Sequence, residues 1–480
     1  MLNRFFSIPT KYFLLLGIGL YLILHLPFVN LPPTGNHVWR QSNSLAIAKN
    51  YYEDGLNIIE PKIDKRYDGS GVTGTNFPLY EWVLAVNYKI WGFSHAVHRM
   101  YAMLITFLCF LLVYLNFKSV NVQTGRLAAW IFLFNPLVFY YGFSALPDMM
   151  AILLVLAANY YIIAIVKNNS VFAKIALPIC ISLGLLIKFT FIAWLAIPFL
   201  VLHSKKVKPQ LPILIMLGLP AMIPVFMWYR YANQLTALAQ GNVEFVYYAR
   251  MLSTFEGWSN LFTNLLSAVP ELFFGYPGLI LLLLGFIFGV ARPNKGKIQW
   301  IYWVGALVMA ITYLVSASHN LIDHDYYFLP LLGLLLVVLS RLPKKAFSVS
   351  LIIMLLMPVW SAARIIPANW VGVDSETLQV EKEWLAHRLE ASDRVICGTD
   401  PSSCYLFYML GVKGYPYRAL GELEEVKDGQ VIIDSYINQG AKYLITNQSM
   451  DLENDGLKKY FAQVEPFGTD FWLITLKPKK

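Results

Sequence analysis

Ionisable side chains are sparse over most of this chain, and where they occur they stand at the ends of apolar runs. Asp148 in SALPDMM, Lys188 in GLLIKFTF, Arg99 in AVHRMY, and His319, Asp323, His324 and Asp325 in SHNLIDHDYYFLP all sit where an apolar stretch meets a polar one. Another group, His37, Trp39, Arg40 and Gln41 in HVWRQSNSLAIAKNYYEDG, follows the first apolar run. Charge at such depths is costly unless it is paired or functional, so these positions are the candidate chemistry. A carboxylate can take a proton, an imidazole can do so near neutral pH, and a guanidinium can grip a phosphate bidentately. Each residue alone also has a plainer use. Asp148 suits a helix N-terminus, where its charge complements the helix dipole, and Trp39 with Arg40 suits an interfacial belt.

The elements that must position these groups are membrane helices. Hydrophobic residues make up 57% of the 480 and charged residues only 14%, far from the soluble balance of about half apolar and a quarter charged. Apolar runs read as eleven spans, at about 12-30, 98-116, 126-143, 147-166, 173-187, 188-202, 210-229, 271-291, 299-317, 326-340 and 347-364, each suited to crossing roughly 30 Å of hydrocarbon. The first run is preceded by Arg4 and Lys11 but is too long for a signal peptide and has no Ala-x-Ala-like cleavage site, which predicts an uncleaved span. The pair 173-187 and 188-202 predicts a V whose tip is near Lys188.

Charge placement predicts the orientation. The loops NRFFSIPTK, FKSVNVQTGR, KNNSVFAK, HSKKVK, ARPNKGK and RLPKKA each carry Lys or Arg and no acid, so they are expected inside, with the N-terminus in and the C-terminus out. Residues 1–369 hold 26 Lys/Arg against 12 Asp/Glu, and 370–480 hold 12 against 17. The basic excess therefore lies in short loops and not in one groove, which argues against a nucleic-acid partner.

Three outer segments are expected: 31-97, 230-270 and a tail from about 366. In the tail, SETLQVEKEWLAHRLEAS and QVIIDSYINQG have helical spacing, the second closed by Gly440, while RVICG, KYLIT and FWLITLK resemble strands. The predicted fold is thus an α-helical polytopic membrane protein, residues 1-365, followed by a small extracytoplasmic α/β domain, residues 366-480. Cys109 and Cys180 read as buried small hydrophobes, and Cys397 and Cys404 stand where a disulfide is chemically permitted.

Taken in order, the outer loop after the first span, NFPLYEWVLAVNYKIWGFSHAVHR, NPLVFYYGFSALPDMM, GLLIKFTFIAWLAIPF and HDYYFLPLLGLLL resemble the GT-C glycosyltransferases over roughly residues 10 to 345. More narrowly, the chain is similar to bacterial relatives of the protein mannosyltransferase and aminoarabinose transferase families. That resemblance implies an inverting transfer of a hexose or pentose from a polyprenyl phosphate, such as undecaprenyl phosphate, to a glycan, lipid or protein acceptor outside a bacterial cytoplasmic (inner) membrane.

By the same resemblance, Asp148 matches an acidic residue that acts as base or orients one. Lys188 matches the Lys of a Thr-Lys-Gly-like segment, and Arg99 the Arg that opens the span after the first loop. His324, Asp325, Tyr326 and Tyr327 match a His-x-Tyr-Tyr-like element near the carrier phosphate or sugar. Phe77, Pro78, Leu79 and Tyr80 match a Pro-Leu element, with Asn76 where the aminoarabinose branch often has Lys. Phosphate binding then falls to other cations, with Arg40, Lys188 and Arg250 as options. Family members usually carry Asp-Glu ten residues before the Asn of an Ala-Arg-Asn-like helix. Counting back from Asn50 finds Arg40 and Gln41 instead, so His37 joins Asp148 as a candidate base, with Glu53, Asp54, Asp64 and Asp68 nearby in sequence.

Two other function classes fit the same residues. A lipid or solute transporter or flippase would place ionisable groups near the midplane of paired repeats, whereas here charge gathers on one face. A polysaccharide polymerase or ligase would use an outer loop rich in Arg and His, which 230-270 supplies only through Arg230 and Arg250. No cofactor is demanded by spacing; a divalent cation held by Asp148 and another outer acid is left open.

Overall fold

The computed structural model describes residues 8–66, 70–202, 204–238, 252–269, 271, 297–340, 347–398, 400, 404–417 and 433–478. The expected span at 271-291, apart from residue 271, together with Arg250 and Asp68, lies outside them. The chain is mostly helical, with one small sheet near its C-terminus. It divides into two compact units. The first takes the described residues among 1–29, 98–230 and 247–371, and the second those among 30–97, 231–246 and 372–480.

Thr10–Phe28, His95–Phe117, Asp148–Asn168 and Lys208–Thr236 are long and apolar enough to cross a membrane; they lie in the first unit except for residues 95–97 of the second helix and 231–236 of the fourth. Val171–Ile187, Phe189–Val201, Trp303–Ser316 and Asp325–Leu339 are shorter apolar helices. The run expected as one span at 126-143 is instead two helices, Val122–Leu133 and Pro136–Tyr141. Asn135 and Pro136 break it. The Asn135 side chain accepts from the N–H groups of Leu137, at 3.0 Å, and Val138, so it caps a new helix that opens with proline.

At Lys188, where the sequence predicts the tip of a V, the two flanking segments wind differently. Val171–Ile187 is α-helical, Lys188 is extended, and Phe189–Ala196 winds as a 3₁₀ helix before Ile197–Val201 resumes the α form. Trp194 anchors the tight segment. Its indole N–H donates to the Leu329 carbonyl at 3.3 Å, its own carbonyl accepts from Asn159 at 3.0 Å, and its ring lies against Gly333, where a Cβ would come 2.6 Å from the ring. Only glycine leaves that room.

In the second unit the sheet has the order β2-β1-β3-β5-β4, built from β1 Arg394–Gly398, β2 Gly414–Tyr417, β3 Ala441–Thr446, β4 Phe461–Phe467 and β5 Phe471–Leu476. β1 pairs parallel with β2 and β3, while β5 pairs antiparallel with β3 and β4. The two strands missing from the sequence reading, β2 and β4, are the sheet's edges and carry Pro416 and Pro466. Proline cannot donate to a ladder, so an edge is where it is tolerated. Residues 433–438 are helical, closed by Gly440 at φ 96°, and the amphipathic stretch at 375–392 is helical over Gln379–Ala386.

The long first loop belongs to this second unit. Its helix Val38–Asp54 presents Asn50, whose amide donates to the Lys62 carbonyl and to Asp64 Oδ1, each at 3.0 Å, and whose carbonyl oxygen accepts from Arg66 Nη2 at 3.0 Å. The segment so held reaches the edge of β2. Arg66 N–H donates to the Gly414 carbonyl and Gly414 N–H to that of Asp64, at 2.6 and 3.0 Å. Cys397 and Cys404 are buried free thiols, as are Cys109 and, half-buried, Cys180. Burial pushes the Cys397 thiol up, with Asp400 adding to it, so it stays protonated.

Candidate functional site

Two helix breaks meet in the first unit. Lys188 (φ −156°, ψ 104°) separates Val171–Ile187 from Phe189–Ala196, and His324 (φ −134°, ψ 100°) separates Ser318–Asp323 from the 3₁₀ turn Asp325–Phe328. Each break is one extended residue between a helix and a 3₁₀ helix. Such a break frees a side chain from the apolar face of a span and turns it sideways. Pro330, at the start of Leu329–Leu339, restarts the helix after the second break.

Lys188 forms a buried ion pair with Asp148, the first residue of Asp148–Asn168. Asp148 is 1% exposed and Lys188 8%. Among the described residues, Lys188 is the side chain that bonds the Asp148 carboxylate. The ammonium also lies 4.7 Å from the ring centre of Tyr326 and 5.0 Å from that of Tyr327, within cation–π range. His324 stacks on both rings, at 5.5 and 6.0 Å, and Asp325 accepts from the Tyr141 hydroxyl. Tyr313 fixes the turn from behind, its hydroxyl donating to the Tyr327 carbonyl at 2.5 Å.

Six of the ten residues expected from sequence are therefore joined in one cluster: Asp148, Lys188, His324, Asp325, Tyr326 and Tyr327. Arg99 lies in the same unit, fully buried, donating to the Phe143 carbonyl at 2.9 Å and packed over the Phe143 ring at 4.7 Å. It thereby holds the segment that runs into Asp148. His37, Arg40 and Gln41 belong to the second unit. His37 precedes Val38–Asp54 in the left-handed region at φ 53°, and Arg40 and Gln41 are buried, with Gln41 donating to the Thr34 and Asn36 carbonyls at 3.0 and 3.3 Å. Tyr141 was missed in the sequence because it lies within an apolar run. The signal was the Asn-Pro break five residues earlier, which ends the span and brings Tyr141 beside the 324–327 turn.

The arrangement combines a buried carboxylate with one oxygen engaged, an ammonium shared between that carboxylate and two phenol rings, and a second carboxylate bonded by a phenol. Such a set can move a proton and hold a compact anion. Among the described residues no three His, Cys, Asp or Glu side chains come together to hold a metal ion.

Long apolar helices, helix breaks at single charged residues and a small sheet near the C-terminus are what the GT-C-like fold expected from the sequence would show. Comparison with known proteins agrees. Residues 75–228 match the profile of the dolichyl-phosphate-mannose-protein mannosyltransferase family. No curated protein matches the chain. Among solved structures, ArnT from Cupriavidus metallidurans bound to undecaprenyl phosphate is 13% identical, covers 97% of each chain and superposes with a TM-score of 0.51. The Archaeoglobus fulgidus oligosaccharyltransferase in the apo form is 10% identical, covers 95% of this chain and 73% of its own, and gives 0.56. Its complex with Zn and sulfate is 12% identical, covers 94% and 71%, and gives 0.54. In fold, the chain is similar to these proteins.

Proposed function

We propose that the protein is a membrane glycosyltransferase that moves a sugar, with inversion, from a polyprenyl phosphate to an acceptor outside a bacterial inner membrane. The observation that carries this reading is the assembly of Asp148, Lys188 and residues 324–327 into one buried cluster. The undecaprenyl phosphate in the ArnT structure is what suggests the carrier.

In the proposed reaction, an acceptor hydroxyl oxygen attacks the anomeric carbon and the bond from that carbon to the phosphate oxygen breaks. The bonding pair leaves on the phosphate and the hydroxyl proton passes to the Asp148 carboxylate. A polyprenyl phosphate is already a competent leaving group, so the protein must mainly hold growing negative charge and supply one base. An ammonium has three donors and can bond Asp148 and a phosphate oxygen together. Tyr326 and Tyr327 flank that ammonium, and Asp325 with Tyr141 fixes the turn that carries them. In this proposal Arg99 supports the Asp148 segment, and the step needs neither a base nor a donor contact from His37, Arg40 or Gln41. The orientation proposed is N-terminus inside, with eleven spans and the sheet domain outside.

The test is transfer from a panel of polyprenyl-phosphate sugars by the purified chain in reconstituted membranes. Transfer from at least one donor is expected, with the α/β ratio of the product showing inversion. No transfer from any donor, while a labelled lipid or solute crosses the bilayer, sinks the reading in favour of a transporter.

A further inference from the structure

Within the second unit, the C-terminal turns of Val38–Asp54 and the helix Gln379–Ala386 line a cleft of about 600 Å³. Its floor is apolar, formed by Leu385, Leu410 and Val412 of the sheet domain's core, and its wall carries Lys49, Lys382 and Lys413. Lys49 and Lys413 share one carboxylate, Glu53, at 3.7 and 3.2 Å. Among the described residues no carboxylate comes within ion-pair distance of the third ammonium, Lys382.

Lys382 is held in place. Its stem lies along Gly411, where a Cβ would come 3.3 Å from Cε, and φ there is +70°, so glycine both makes the turn and clears the path. Burial pushes the Lys382 ammonium below the usual lysine value and Lys49 presses the same way, with Glu53 and Glu383 opposing them in part. Of the other acids lining the cleft, Asp54 and Asp393 are engaged by Lys62 at 3.5 Å and Lys442 at 2.7 Å, neither of which lines it. Glu53 and Glu390 are left to face three cations, with one of those cations half-buried.

We propose that this cleft binds a sugar that carries a phosphate or carboxylate group. The anion would meet Lys382 beside Lys49 and Lys413, and the C–H face of the ring would lie on the apolar floor. The size suits a mono- or disaccharide, since small-ligand sites span about 300–1,000 Å³. No aromatic side chain lines it, so a nucleobase would have nothing to stack on. Use of the cleft to hold an acceptor glycan rests on the transferase reading above, but the binding itself does not.

The experiment is calorimetric titration of the full chain in detergent with glucose 6-phosphate, glucuronate, glucose and inorganic phosphate. Glucose 6-phosphate or glucuronate is expected to bind saturably, more weakly at high salt, and glucose is not. Lys382→Met keeps the stem on Gly411 and removes the charge, and should weaken binding about tenfold or more, while Lys382→Arg restores most of it. Lys413→Met, which leaves Glu53 with Lys49, should weaken it less and serves if Lys382→Met does not fold. Equal binding of glucose and glucose 6-phosphate, unchanged affinity in both Met variants, phosphate binding as tightly as the sugar phosphate, or no binding of any probe each overturns the proposal. A protein that binds glucose 6-phosphate but transfers no sugar from any donor contradicts the proposed function and supports this site.

Discussion

The Asp148–Lys188 cluster and the Asn50 network both bury charge, but they satisfy it differently. In the first unit the Asp148 carboxylate has, among the described residues, a single side-chain partner, set at a helix break among apolar helices. In the second, Asn50 mediates between Asp64 and Arg66, and those residues are further tied through their backbone to β2. A pair of the first kind has no substitute when one member is lost. A network of the second kind spreads the loss over several bonds and lies beside charged, half-exposed surface. The first is the arrangement that the proposed reaction calls for, and the second that of a scaffold.

Lys188→Met breaks this contrast most severely. It strands a buried carboxylate and should cost about 3–5 kcal/mol of stability, read by thermal unfolding in detergent. Asp148→Leu combined with Lys188→Met should recover most of that loss, because no buried charge is left unpaired. If the double variant is no more stable than the single one, the pair does not act as an isolated unit. Next in size, Asn50→Leu should cost about 3 kcal/mol by removing hydrogen bonds to two charged groups, with proteolysis in the 56–75 loop as a local readout. A loss as large as that of Lys188→Met would erase the difference drawn between the two regions.

Tyr141→Phe removes the bond to Asp325 and should lower stability by about 2 kcal/mol. It should also slow transfer, since the turn bearing Tyr326 and Tyr327 loses a tie. The smallest effect belongs to the exposed rim of the sheet. Burial works against the Asp393 carboxylate, but the hydrogen bonds from Lys442 and the Glu390 backbone N–H outweigh it and hold its pKa below the usual aspartate value. A depressed carboxylate stabilises the fold above its unfolded value, and that contribution is lost as pH falls through the folded value. Asp393→Asn should therefore lower stability slightly at neutral pH, with the difference from wild type vanishing as pH falls through the folded value, so that the acid limb of the unfolding curve flattens. Because Lys442 is well exposed, screening keeps the effect small and it should fade with salt.

Much of the candidate site was legible because solitary charges at the ends of apolar runs are rare enough to stand out. Asp148, Lys188 and residues 324–327 are such charges or their neighbours, and the structure joins them. Tyr141 was not legible, since one tyrosine among many in an apolar run carries no mark. Asn135-Pro136 was readable as a break but was covered by the surrounding hydrophobicity. The edge strands β2 and β4 escaped for a different reason: Pro416 and Pro466 argue against a strand unless it lies at an edge, and edge position is a property of the assembled sheet. The helix 38–54 shows the limit most clearly. Its Arg40-Gln41 departs from the resembling families, and what the structure adds is Asn50 as the tie between Asp64 and Arg66, a bond no linear pattern displays.

The account centres on Asp148 as the base beside Lys188. The most direct test is the single-turnover rate of sugar transfer by Asp148→Asn, compared with wild type in the same membranes and with a donor the wild type accepts. Asparagine keeps the shape and a hydrogen-bonding oxygen for Lys188 but cannot take the acceptor's proton. A fall of about 10²- to 10⁴-fold with donor binding retained is the predicted result. A wild-type rate would contradict it and move the base to another residue.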